Sequence, residues 1–328
     1  MFHSPSPPPP PPPPRPPPGA EAQPLPAPPG LPRRYSLHKR LGEGSVGTVY
    51  AAFDAERNEA VAIKLLSLGG WGRGEPALQR ARFAAEAAAA QRLAHPDIVA
   101  TLDAGSAGPL GWLVMELVPG VPLSRYAQPA RLLPEALVLR AVQRLAAALA
   151  HAHAAGVVHR DIKPANVLVH WPQGVLKLAD FGLARQADSE ATRTGIVMGS
   201  PAYMAPELLA GAAPDMATDC YALGVTLFEL LCGQLPFMAP AAPGQALPSI
   251  GELLRRVAHD PVPALALLRP DLPAHTAAAL DALLQQLLAK RAAGRVASAS
   301  RIDSALQAAI QDLGTTPGHG PRAGHGPA

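Results

Sequence analysis

Asp161, Asn166 and Asp180 put two carboxylates and an amide oxygen close together in the chain. A carboxylate can orient a hydroxyl and accept its proton. A carboxylate and an amide oxygen can also share a hard divalent cation with phosphate oxygens. The run around the first two is His159-Arg160-Asp161-Ile162-Lys163-Pro164-Ala165-Asn166, and Asp180-Phe181-Gly182 follows fourteen residues after Asn166. Far upstream stand Gly42-x-Gly44-x-x-Gly47 and Lys64. Glycines let backbone N–H groups approach phosphate oxygens, and a lysine adds a point charge.

The glycine pattern alone is a weak signal. A dinucleotide-binding turn has the same spacing, but a helix must follow its third glycine. Here Thr48-Val49-Tyr50-Ala51-Ala52-Phe53 follows, which is β-branched and aromatic. The glycines therefore read as a hairpin turn, either a plain one or one laid over a nucleotide. Strand periodicity puts Ala62 and Lys64 of Val61-Ala62-Ile63-Lys64 on one face.

Together these runs resemble the motifs of the protein kinase family, in family order over residues 35–311. Leu41 opens Gly42-Glu43-Gly44-Ser45-Val46-Gly47-Thr48-Val49, similar to the Gly-rich loop, and Ala205-Pro206-Glu207 is similar to the close of the activation segment. The resemblance implies a bilobal α+β kinase-like fold, with a small β-rich N-lobe carrying one helix, and a helical C-lobe. It implies ATP with Mg²⁺ or Mn²⁺ as metal, and bacterial-type Ser/Thr kinase activity.

The roles implied by that resemblance fall on particular positions. Asp161 would orient and deprotonate the acceptor, with Lys163 and Lys64 stabilising the moving charge. Asn166 and Asp180 would hold metal. Leu41, Val49, Ala62, Met115 as gatekeeper, Glu116, Val118 and Leu168 would enclose the nucleotide beside the loop 42–47. Glu86 would pair with Lys64. Lys163, with Ser200 where relatives usually have Thr, points to Ser and Thr acceptors. Thr192-x-Thr194 resembles paired autophosphorylation sites, whose phosphate Arg160 would receive, and copies of the chain would meet transiently for that step. Glu207 with Arg295 resembles a buried ion pair, and Asp219 an anchor for the catalytic loop. Arg295 lacks the customary neighbouring prolines, and Ala90, one turn beyond Glu86, is smaller than the usual residue there.

The elements that must position these residues follow from pattern. Tyr35–Leu41, Thr48–Asp54, Val61–Leu66, Ile98–Leu102 and Trp112–Leu117 read as strands. The stretch Glu75–Leu93 reads as a helix stopped by His95-Pro96. After Pro119-Gly120, helices are expected over Pro134–Ala154, Thr218–Leu231, Gly251–His259, Thr276–Ala289 and Ser298–Leu313. His151 and His153, two apart at a helix end, face different directions and do not form a metal pair.

The chain has 328 residues and 40 prolines, many of them in residues 5–32. Such a run favours extended polyproline II with no core, so residues 1–32 are expected to be disordered, as is the Gly/Pro/His-rich stretch 314–328. A kinase domain is expected over 33–313, divided at 118/119. The proline run serves as a spacer or as a ligand for an aromatic groove. A net charge of +3 is too small to argue for nucleic acid. Cys220 and Cys232, about 18 Å apart if on one helix, are too distant for a disulfide. With no apolar leader or span, a cytoplasmic protein without membrane contact is expected. Two rivals remain. A pseudokinase scaffold usually lacks one of Lys64, Asp161 or Asp180. A small-molecule phosphotransferase lacks the Ala205-Pro206-Glu207 segment.

Overall fold

A computed structural model describes residues 24–44, 47–68, 75–181, 201–239, 246–295 and 299–315. Two lobes follow one another in the chain. The first carries a five-stranded antiparallel sheet of β1 (Tyr35–Gly44), β2 (Gly47–Asp54), β3 (Glu59–Ser67), β4 (Thr101–Ala107) and β5 (Leu110–Glu116), in the order β1-β2-β3-β5-β4. Helix α1 (Pro76–Gln91) lies between β3 and β4, with Pro76 in its first turn, where the missing N–H costs nothing.

Alternation along β3 divides this lobe into two layers. Ala62 and Leu66 face α1 and pack with Phe83, Ala87, Leu113 and Met115. Val61 and Ile63 face the other way and pack with Tyr35, Leu37, Trp112 and Val114. That second layer includes Leu31, which is buried. Leu25 donates its N–H to the Leu37 carbonyl at 2.6 Å and forms a bridge with β1. Residues 24–32 thus follow the sheet, with Leu31 buried on it, Leu25 bonded to its edge and most of the others exposed, where a disordered segment was expected. Leu31 supplies the buried side chain and Leu25, whose side chain is exposed, a backbone bond, and the prolines around them reduce the entropy lost on ordering.

The second lobe is built round α4 (Met216–Cys232), which is buried on nearly every side. Asp215 caps it by accepting from the Thr218 N–H at 3.0 Å. Helices α2 (Glu135–Ala154), α3 (Pro206–Leu209), α5 (Ile250–His259), α6 (Leu265–Leu268), α7 (Ala274–Leu287) and α8 (Ala299–Thr315) complete the lobe. A three-stranded antiparallel sheet, β6 (Val121–Pro122), β7 (Val167–His170) and β8 (Val175–Leu178), lies under the cleft. Each helix expected from periodicity is present within about two residues at either end. The strand expected at Ile98–Leu102 begins later, at Thr101, and Ile98 makes an isolated bridge to Leu178. Cys220 and Cys232 are free thiols on α4, as expected from their spacing.

Candidate active site

Residues 159–166 lie between α2 and β7, on a segment with little regular structure. Its shape is set by Asp219 at the start of α4, which is buried. Asp219 Oδ2 accepts from the His159 N–H at 2.8 Å, and Oδ1 accepts from the Arg160 N–H at 2.8 Å. His153 Nε2 also meets Oδ2 at 2.8 Å. Arg160 is held at φ +72°, a conformation non-glycine residues rarely adopt.

Asp161 sits in the resulting turn. Lys163 Nζ meets its Oδ2 at 2.8 Å, and Asn166 Nδ2 donates to the same oxygen at 2.8 Å and to the Asp161 carbonyl at 2.7 Å. Burial alone would push the Asp161 carboxyl up. The Lys163 charge and the bonds from Lys163 and Asn166 together pull harder, so its pKa falls below the ordinary carboxylate value. Asp161 is a carboxylate at neutral pH.

His159 links this loop to Asp180. Its Nδ1 accepts from the Asp161 N–H at 3.2 Å, and its Nε2 lies 2.8 Å from the Ala179 carbonyl. Nε2 therefore carries the proton. Burial, the largest influence, lowers the pKa of this ring and keeps it neutral. The ring stacks edge-on against Phe181 with centroids 4.5 Å apart. Asp180 has φ +64°, a second strained residue.

On the small-lobe side, Lys64 stands on β3 between Val49 and Leu113 and is buried. Its ammonium reaches Asp180 Oδ1 at 2.8 Å. Glu86 on α1, the expected partner of Lys64, instead accepts from Arg160 Nη1 at 3.1 Å. Among the described residues, these two pairs replace the expected Lys64–Glu86 pair. A buried ammonium must have an anion. Asp180, turned by its left-handed backbone, supplies it, and Glu86 serves the guanidinium.

An apolar wall lies beside these charges. Ala62 and Met115 are paired across β3 and β5, and Val49, Leu117, Val118 and Ala179 pack against their cluster. Leu168 on β7 is half-buried. The Glu116 side chain is turned to Lys177 at 2.6 Å and to the Ala100 N–H at 2.8 Å. Leu41, Gly42, Glu43 and Gly44 are exposed. A Cβ at Gly42 would meet nothing within 4 Å, whereas one at Gly47 would strike the Leu65 carbonyl. Gly47 is therefore required by the approach of β3, and Gly42 leaves open space. A small gap between α1 and the cleft is lined by Ala90, Leu93, Leu113, Met115 and Phe181. Ser45, Val46, Thr192, Thr194 and Ser200 lie outside the described residues.

Arg295 and Glu207 form the buried pair expected of them, with Arg295 Nη2 2.6 Å from Glu207 Oε2. Sequence spacing did not reveal Tyr203, whose hydroxyl bonds Glu229 on α4. Burial, then the Glu229 charge and bond, raise the phenol pKa. Burial raises Glu229 as well, against the opposing bond from Tyr203. The 26-residue separation of the two carries no local pattern.

A β-rich lobe over a helical one, with a glycine hairpin above and a carboxylate loop below, defines a bilobal kinase-like α+β architecture. The model of the protein kinase domain matches residues 35–307, and the chain belongs to the protein kinase family. It is 36% identical over 285 residues to the serine/threonine-protein kinase pkn3 of Myxococcus xanthus, covering 84% of this chain and 50% of that one. It is 35% identical over 304 residues to the DNA damage-responsive serine/threonine-protein kinase RqkA of Deinococcus radiodurans, covering 90% of this chain and 43% of that one. The chain thus spans about half or less of the length of these relatives. The crystal structure of Rad53 1-466 in complex with AMP-PNP is similar with a TM-score of 0.65 at 21% identity, covering 85% of this chain and 66% of that one. That likeness speaks to the fold. Among the described residues no helix is long and apolar enough to cross a membrane.

Proposed function

We propose that the chain transfers the γ-phosphoryl group of ATP to Ser and Thr hydroxyls of proteins. The observation that carries this reading is the ionised Asp161, held by Lys163 and Asn166 on a loop that faces the Lys64–Asp180 pair. The acceptor hydroxyl would donate to Asp161. As its oxygen bonds the γ-phosphorus, the bond to the β–γ bridging oxygen breaks and ADP leaves. The hydroxyl proton passes to Asp161 and then to solvent. Lys163 and Lys64 would offset charge on the phosphoryl oxygens, so the chain acts mainly by positioning and electrostatics.

The donor set suits a magnesium or manganese ion. Asn166 spends its amide nitrogen on Asp161, which leaves its oxygen as a ligand, and Asp180 retains its second carboxylate oxygen. No group of three or more His, Cys, Asp or Glu converges among the described residues, so such an ion would rely on phosphate oxygens as well. When bound, it supplies charge neutralisation between the phosphates. The open space over Gly42 and the wall of Val49, Ala62 and Met115 suit a nucleotide base and its phosphates. The expectation that Thr192 and Thr194 are autophosphorylated rests on the sequence alone.

Incubation with labelled ATP, magnesium and a generic protein substrate tests the reading. Wild-type protein should label Ser and Thr, while Lys64→Met and Asp161→Asn should lose about 10²-fold or more. Asp161→Asn should still bind ATP. Wild-type-like labelling by Asp161→Asn would remove Asp161 from the mechanism, and no labelling by the wild type would favour a binding scaffold.

A further inference from the structure

The kinase match begins at residue 35, and the described residues just before it, 24–34, lie outside that match. Residues 24–34 cross the outer face of the small-lobe sheet, opposite α1. Leu31 is buried among Tyr35, Leu37, Trp112 and Val114. Turns close the path, with Leu31 N–H to Pro28 carbonyl at 3.2 Å and Tyr35 N–H to Pro32 carbonyl at 3.1 Å. Arg34 bonds Glu56 beyond β2 and Asp103 on β4, and the Tyr35 hydroxyl donates to Asp103 at 2.6 Å. Gly30 lies at φ +98°, where a Cβ would stand 2.7 Å from the Ala107 Cβ. Only glycine meets both demands.

The first contact of this segment has a mechanical consequence. β1 is an edge strand, and Leu25 covers that edge at Leu37. A β-bulge begins at that residue, between Leu37 and Lys39, and a second lies between Arg40 and Gly42. Bulges bend a strand and re-aim the residues beyond them. Beyond the second bulge, the chain enters the Gly-rich loop 42–47.

We infer that residues 24–34 are a strap that fixes β1 at its bulge and thereby sets the position of the Gly-rich loop, so that nucleotide affinity depends on a segment outside the kinase match. The nucleotide part of this inference rests on the function proposed above.

The test compares wild type with a chain lacking residues 1–23, a chain lacking residues 1–32, and Gly30→Val in the full chain. Three quantities are measured: KM for ATP against kcat, melting temperature, and hydrogen exchange of the β1 amides. Removing 1–23 should change none of them. Removing 1–32, or Gly30→Val, should speed β1 exchange and raise KM for ATP by roughly three- to tenfold, with kcat within about twofold. A lower melting temperature with unchanged KM and unchanged β1 exchange would reduce the strap to a passive cap and overturn the inference. No change in any quantity would show that the segment does not dock. If the wild type binds no ATP, the functional reading fails, and β1 exchange still decides whether the strap holds the strand.

Discussion

The two halves of the cleft are held by different means. Below, residues 159–166 are tied inside their own lobe, by the buried Asp219 to the backbone of His159 and Arg160, and by the half-buried Asn166 and Lys163 to Asp161. Above, Lys64 and Glu86 are held by charges reaching from the other lobe, Asp180 and Arg160. The lower half is specified by short-range bonds that have few alternatives. The upper half rests on ion pairs whose partners can be exchanged, since Lys64 and Glu86 come from the same lobe. Changes to the buried anchors below should therefore cost stability, and changes to the ion pairs above should cost activity with little loss of stability.

The largest effect should come from Arg295→Met. The Arg295 side chain is fully buried, pairs with Glu207, donates to the Ala289 carbonyl at 2.8 Å and lies over the Tyr221 ring. Removing one member of a buried pair strands the other and costs about 3–5 kcal/mol. For a domain of this size that is a drop of roughly 10 °C in melting temperature. A drop of less than about 3 °C would mean that the lower half is not anchored through this pair.

Glu86→Gln probes the upper half. If transfer requires Glu86 to leave Arg160 and take Lys64, as the family template has it, the neutral amide should lower kcat/KM by roughly 10- to 100-fold. Melting temperature should move by only about 2 °C, because the group is partly exposed and such pairs contribute little. Unchanged kcat/KM would make the Lys64–Asp180 pairing the working one.

Lys163→Met should act through pH. Burial pushes Asp161 up, and Lys163 is the main group that holds it down. In the wild type the carboxylate therefore persists below the ordinary carboxylate range. Its contribution to stability is present above the unfolded pKa and is lost as pH falls through the lowered folded value. Without Lys163, burial gains weight against the bond from Asn166, and the acid limb of kcat/KM should move to higher pH. A limb that stays in place would assign it to another group.

This contrast also explains what the sequence revealed. The lower half is a nearly continuous run, residues 159–166, whose partners Asp180 and Asp219 occur at family spacing. The helices were legible because their periodicity is local, while the cap at Asp215, ahead of the expected start at Thr218, emerged only in the structure. The pairing of Lys64 was not legible, since Glu86 and Asp180 are both carboxylates within reach and only tertiary geometry selects between them. The strap was hidden for another reason. Leu25 and Leu31 are isolated apolar residues among prolines, with neither a two-residue nor a 3.6-residue period to mark them. Tyr203 and Glu229 meet across two segments, and nothing local foretells it. The run of the fourth strand on to Ala107 follows from pairing with β5 and was not legible, because Asp103-Ala-Gly-Ser has little strand propensity of its own.

The smallest effect should come from filling the gap behind α1. Ala90 is buried on the face that looks toward Phe181, Leu113 and Met115, and the space there is small. Ala90→Val adds two methyl carbons, worth about 1.6 kcal/mol if both find room. Valine in a helix costs about 0.6 kcal/mol relative to alanine. The net gain is about 1 kcal/mol, or a rise of roughly 2–4 °C in melting temperature. Overpacking would reverse the sign, at a cost of about 1–3 kcal/mol. A rise would show that the upper half has slack beside Phe181 that a larger side chain takes up. A fall would show that α1 already packs as closely as its neighbours permit, leaving the exchangeable ion pairs as the source of freedom in that half.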